Sequence, residues 1–139
     1  MQSLAREAGA IGPRAAVQAR LAEDRLIPGF GHTLYPDGDP RAAALLERFE
    51  PPAELSRLQG AVSAMTGLPP NVDFALVAMS RALRLPEDAP FALFAVARCA
   101  GWIAHAIEQG QTGGPIRPRA RYVGVEVEAA SAPSWKPGG

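Results

Sequence analysis

Pro28-Gly29-Phe30-Gly31-His32-Thr33-Leu34-Tyr35-Pro36-Asp37-Gly38-Asp39-Pro40-Arg41-Ala42 reads as a loop that runs into a helix start, and it organises the chain on both sides. Gly29 and Gly31 let the backbone bend sharply and approach a ligand closely, and Pro28 stiffens the entry, so His32 sits where the main chain is bare. Asp39 is a good N-cap and Pro40 suits the first helical position, which puts Arg41 in the first turn. A cation there opposes the helix dipole. Taken alone, the string fits a polar loop with a surface arginine. The histidine and the ill-placed arginine together suggest an anionic carbonyl substrate.

Upstream of this loop, Gly12-Pro13 opens an alanine-rich helix to about Arg25, with Ala16, Val17, Leu21 and Ala22 at helical spacing. Met1 to Ala10 is polar, short of apolar residues, and neither a signal peptide nor an anchor. Downstream, a second helix spans Pro40 to about Phe49, and Pro51-Pro52 ends it. A third runs from Ala53 to Thr66 with Leu55, Leu58, Val62 and Met65 in register and Gly67 as its C′ residue. Asn71 caps a fourth, containing Phe74, Leu76, Val77 and Leu83, which Pro86 stops. The fifth, about Ala89 to Gln109, is apolar almost all round and is expected to pack centrally. Residues 116 to 127 include β-branched positions, so a short extended piece is open, although Pro118 disfavours a central strand. The fold class is all-α: a single domain over residues 1–125 with about five helices, then a disordered tail over 126–139.

Composition narrows the function classes. Hydrophobic residues make up 47% and charged residues 20% of 139, enough for one compact domain with a real core. The formal net charge is zero, so no global field draws the protein to nucleic acid or anionic lipid. The basic run from Arg117 to Arg121 is too short to change that. Arg98 and His105 interrupt the longest apolar stretch, which argues against a membrane span. A single cysteine, Cys99, excludes an internal disulfide and suits a reducing cytoplasm; its apolar surroundings predict a buried, inert thiol.

Two more residues invite a chemical reading. Asp73 lies in the first turn of the fourth helix, where the dipole and free backbone N–H groups stabilise a carboxylate. On this residue alone ordinary helix-start chemistry is the first explanation, since Asp is common there. Arg98 is the only charge between Phe91 and His105 on a helix expected to be buried, so it needs a partner. Either an internal carboxylate such as Asp73 or Glu108, or a substrate carboxylate, would serve. Gly101 suggests a close helix crossing, and His105 reads as structural.

Gly29-Phe30-Gly31-His32 with Asp39-Pro40-Arg41-Ala42, Pro70-Asn71-Val72-Asp73, Arg98-Cys99-Ala100-Gly101 and Ile116-Arg117-Pro118 together resemble the citrate synthase family, which includes 2-methylcitrate synthases and related citryl-CoA enzymes. The motifs stand in the family's order, between about Pro13 and Gly124. The resemblance implies an acyltransferase that converts acyl groups into alkyl groups on transfer, condensing acetyl-CoA with oxaloacetate to citrate and CoA as in the tricarboxylic acid cycle. It implies that Asp73 removes a proton from the acetyl-CoA methyl group and that His32 polarises and protonates the ketone. Arg41, Arg98 and Arg117 neutralise the carboxylates, Arg117 by reaching the neighbouring subunit, which makes the unit a homodimer. Gly29, Phe30 and Gly31 form a wall for the CoA adenine. No metal and no permanently bound cofactor are implied.

The chain departs from the family at two places. Thr33-Leu34-Tyr35-Pro36 stands where relatives often set a basic residue for a CoA phosphate. The upstream histidines are missing, since His32 and His105 are the only two, and loss of an oxyanion-type donor typically costs about 10²- to 10³-fold in rate. The resemblance therefore implies the C-terminal part of the family's fold: a small-domain portion plus the C-terminal helix of the large domain, inactive or weakly active alone. The other reading is a non-enzymatic CoA- or dicarboxylate-binding module, or a regulatory one, that associates with a longer synthase chain. The same residues serve condensation or citryl-CoA cleavage and do not choose among acyl-CoA and 2-oxo acid substrates.

Overall fold

Proline and glycine punctuate this chain, and the helices fall between them. The computed structural model describes residues 1–114 and contains α1 (Gln2–Ile11), α2 (Pro13–Ala22), α3 (Pro40–Leu46), α4 (Ala53–Thr66), α5 (Val72–Ala82) and α6 (Ala89–Thr112). Pro13 and Pro40 occupy the first turns of α2 and α3, where a missing N–H costs nothing. Gly67 and Gly113 close α4 and α6 in the left-handed conformation at φ 70° and 68°. Among the described residues the only extended pairing is a single bridge between Phe30 and Pro70. The all-α expectation is met. The extended piece at 116–127, the tail at 126–139 and Arg117 lie outside the described residues.

One helix was not expected. α1 forms over a segment that reads as polar, because its buried stripe is only Leu4, Ala5 and Ala8. Two of the three are alanines, which carry little hydropathy but allow close packing of α1 on α2 and α4. Six helices rather than five therefore stand among the described residues. α2 and α3 also stop sooner than their patterns suggest, at Ala22 and Leu46.

The core lies where α1, α2, α4 and α5 meet. Leu4, Val17, Leu55, Leu58, Val62 and Phe74 are its largest fully buried side chains, each contributing about 1.5–3 kcal/mol through burial. Arg20 is buried beside this core, and its Nε and Nη2 donate to the Glu7 carboxylate at 2.8 and 2.6 Å. That fork ties α2 to α1 and lowers the Glu7 pKa through the guanidinium hydrogen bonds.

α6 corrects a second expectation. It packs against α5 but buries none of its residues, and Phe91, Val96, Trp102, Ile103 and Ile107 are all more than half exposed. Cys99, expected to be buried, is exposed. Gly101 marks no helix crossing: a Cβ there would stand 2.9 Å from the Nη1 of Arg98 on the same helix. Among the described residues α6 is also the one helix long and apolar enough to cross a membrane, with Arg98 and His105 inside it.

Candidate active site

The His32 loop and the start of α5 are joined backbone to backbone. Gly31 N–H donates to the Pro69 carbonyl at 2.8 Å, and Asn71 N–H donates to the Gly29 carbonyl at 3.0 Å. Asn71 adds its side chain, with Nδ2 donating to the Gly31 carbonyl at 2.9 Å and Oδ1 accepting the Asp73 N–H at 3.0 Å. The same residue thus caps the helix that bears Asp73 and fixes the loop that bears His32. Phe30, 6% exposed, anchors the loop from below, its ring centroid 5.1 Å from that of Phe74.

Backbone geometry requires glycine at both loop positions. Gly29 and Gly31 have φ of 90° and 70°, and a Cβ on Gly31 would lie 3.3 Å from Leu68. A Cβ on Gly29 would collide with the Met1 side chain and touch Phe74.

His32 is half-buried, with its ring against Tyr35 at a centroid distance of 5.0 Å. Its Nδ1 accepts the Leu34 N–H at 3.1 Å. In the neutral ring this leaves the proton on Nε2, which becomes the donor available to a ligand oxygen.

Arg41 follows on α3, with its guanidinium over the Tyr35 ring at 5.3 Å. Its Nε and Nη2 donate to Asp39 Oδ1 and Oδ2, both at 2.9 Å. Asp39 Oδ1 also accepts the Arg41 backbone N–H at 3.0 Å, and Oδ2 accepts the Val72 N–H at 2.9 Å. The Arg41 hydrogen bonds hold the Asp39 carboxyl down at about 2, with the Val72 amide assisting and burial opposing. The pairing raises the Arg41 pKa in turn. Nearly half of the Arg41 side chain remains exposed, so the guanidinium edge not used by Asp39 is open to a ligand.

Asp73 is exposed in the first turn of α5 and lines a 250 Å³ cavity with Leu76, Val77, Pro90, Phe91 and Phe94. Met1 lines the same cavity; burial lowers the pKa of its amino group and the Asp73 charge partly restores it. The predicted site residues thus fall into two groups. His32, Arg41 and the start of α5 are brought together, as are Gly29, Phe30 and Gly31. Arg98 is not: it stands exposed on α6, with no ion-pair partner among the described residues, and Glu108 is paired with His105 instead. The burial that made Arg98 conspicuous in the sequence is absent. Two contributors were missed, Tyr35 as the platform between His32 and Arg41, and Asp39 beyond its role as a cap. The pairing of Asp39 with Val72, 33 residues away, has no signal in the local sequence.

The citrate synthase C-terminal domain family model matches residues 1–119. The chain is 37% identical over 122 residues to a protein named citrate synthase 2 from Bacillus subtilis, covering 81% of this chain and 33% of that protein. Against a citrate synthase from Haloferax volcanii it is 35% identical, covering 81% and 32%. Against 2-methylcitrate synthase 2 from Corynebacterium glutamicum it is 34% identical over 116 residues, covering 76% and 30%. The chain spans about a third of the length of these relatives.

Proposed function

Since this chain belongs to the citrate synthase family, we propose that it supplies the His32 and Asp73 half of a citrate synthase-type condensation and is inactive or weakly active alone. The observation that carries this reading is the set of hydrogen bonds by which Asn71 donates to the Gly29 and Gly31 carbonyls and accepts the Asp73 N–H. It sets a histidine with a free Nε2–H and a helix-start carboxylate on adjoining backbone.

In the proposed reaction Asp73 takes a methyl proton from acetyl-CoA, and the resulting enolate carbon attacks the ketone carbon of oxaloacetate. The ketone oxygen then takes the Nε2 proton of His32. Water cleaves the citryl thioester to citrate and CoA. The open edge of Arg41 receives one of the two oxaloacetate carboxylates, Arg98 and Arg117 serve the other, and Gly29, Phe30 and Gly31 face the CoA adenine. A carboxylate base acts on so weak a carbon acid only when the enolate oxygen is stabilised at the same time, and the chain's two histidines leave no second one on the His32 loop for that task. Assay of CoA release from acetyl-CoA and oxaloacetate should give a rate for the purified chain indistinguishable from that of His32→Ala. Robust turnover above that control contradicts the inactivity, whereas absence of calorimetric binding of both CoA and oxaloacetate contradicts the site.

The exposed apolar length of α6 favours a second reading, a module that binds CoA or a dicarboxylate and joins a longer synthase chain. Binding without turnover, together with co-purification with a full-length synthase, supports this module over the enzyme.

A further inference from the structure

We infer that Asp39 is a positioning residue that holds the Arg41 guanidinium and the first turn of α5 in one fixed relation. An N-cap needs only one oxygen and one amide and ordinarily stands in solvent. Asp39 does more: its side chain has no exposed surface and its two oxygens accept four hydrogen bonds. One carboxylate therefore caps α3 through Arg41 N–H and meets α5 through Val72 N–H, one residue before Asp73. It also takes the Nε and Nη2 edge of Arg41, so the guanidinium is fixed in plane over Tyr35 with its remaining edge outward. A long arginine side chain otherwise samples many rotamers, and a planar fork already held on one side loses less freedom when a ligand carboxylate arrives. This inference rests on the reading of Arg41 and Asp73 as site residues.

The test uses the 139-residue chain labelled with ¹⁵N. In the wild type the Arg41 Nε–H and the Val72 amide should both exchange slowly with solvent. Asp39→Asn retains one oxygen for the Arg41 cap but removes the charge; both signals should exchange about tenfold faster or more, with the Leu58 and Val62 amides unchanged. Oxaloacetate binding should weaken about tenfold as well. Val72→Pro deletes a single donor at a helical position that accepts proline, after an Asn71 already extended at φ −108° and ψ −178°. That variant should keep its helix content and release the Arg41 Nε–H several-fold, and it carries the test if Asp39→Asn does not fold. Unchanged Arg41 exchange in a folded variant overturns the inference, as does undiminished oxaloacetate binding once Arg41 has been released. A wild type that binds no oxaloacetate but shows the exchange changes refutes the functional reading and leaves the role of Asp39 standing.

Discussion

Asn71 reaches back across 40 residues of sequence to donate its side-chain amide to the Gly31 carbonyl at 2.9 Å, while its oxygen caps the Asp73 amide. Asn71→Ala removes both bonds and should destabilise the fold by about 1–3 kcal/mol. Asn71→Ser retains a capping oxygen and should cost roughly half as much. Urea denaturation followed by circular dichroism measures both; equal losses in the two variants would mean that the capping oxygen contributes nothing, and undiminished stability in Asn71→Ser would mean that the bond to Gly31 contributes nothing.

Asp39 predicts a specific acid sensitivity. Its folded pKa is depressed to about 2 from an ordinary 3.8, so its contribution is fully present above pH 4 and disappears as pH falls through 2. The shift is worth about 2 kcal/mol. The stability difference between wild type and Asp39→Asn should be constant from pH 7 to about pH 5 and narrow steadily below pH 4. A difference that stays flat down to pH 2 contradicts the depressed pKa.

The loop glycines should separate cleanly from a helical one. Gly29→Ala and Gly31→Ala each force an L-residue into positive φ, with added collision at Gly29, and should lower stability by about 1–3 kcal/mol. Gly60 lies in α4 with open space around it, so Gly60→Ala should raise stability by about 0.5–1 kcal/mol. Thermal melts of the three variants decide the point, and a stabilised Gly31→Ala would refute the strain argument.

α6 should prove dispensable to the stability of the rest. Leu58→Ala empties a fully buried position and should cost about 2–5 kcal/mol. Trp102→Ala, at a side chain 55% exposed, should change the denaturation midpoint little, by about 0.5 kcal/mol or less. A loss at Trp102 comparable to that at Leu58 would show that α6 has apolar cover in solution.

Much of the architecture was legible because proline, glycine and capping residues act locally. Asp39, Pro40, Asn71 and Gly67 mark helix ends through their own side chains or backbone preferences, and α3, α4 and α5 begin or end where they say. α1 was hidden because alanine packs closely without advertising hydrophobicity. Arg98 and Cys99 were misplaced for the converse reason: an apolar helix implies a covering surface, but its sequence does not say whether that surface is present. In the site, His32 and Asp73 stand out through local motifs, whereas Tyr35 and the bond from Asp39 to Val72 depend on tertiary approach.

The anchoring of Phe30 on Phe74 bears on how far the His32 loop can move by itself. A hinged flap needs a tip with few buried contacts, yet this loop has its aromatic residue sunk in the core and its backbone stitched to the residues before α5. His32 is therefore held in register with α5, and moving this loop alone would mean unseating Phe30 and breaking the backbone bonds to Pro69 and Asn71.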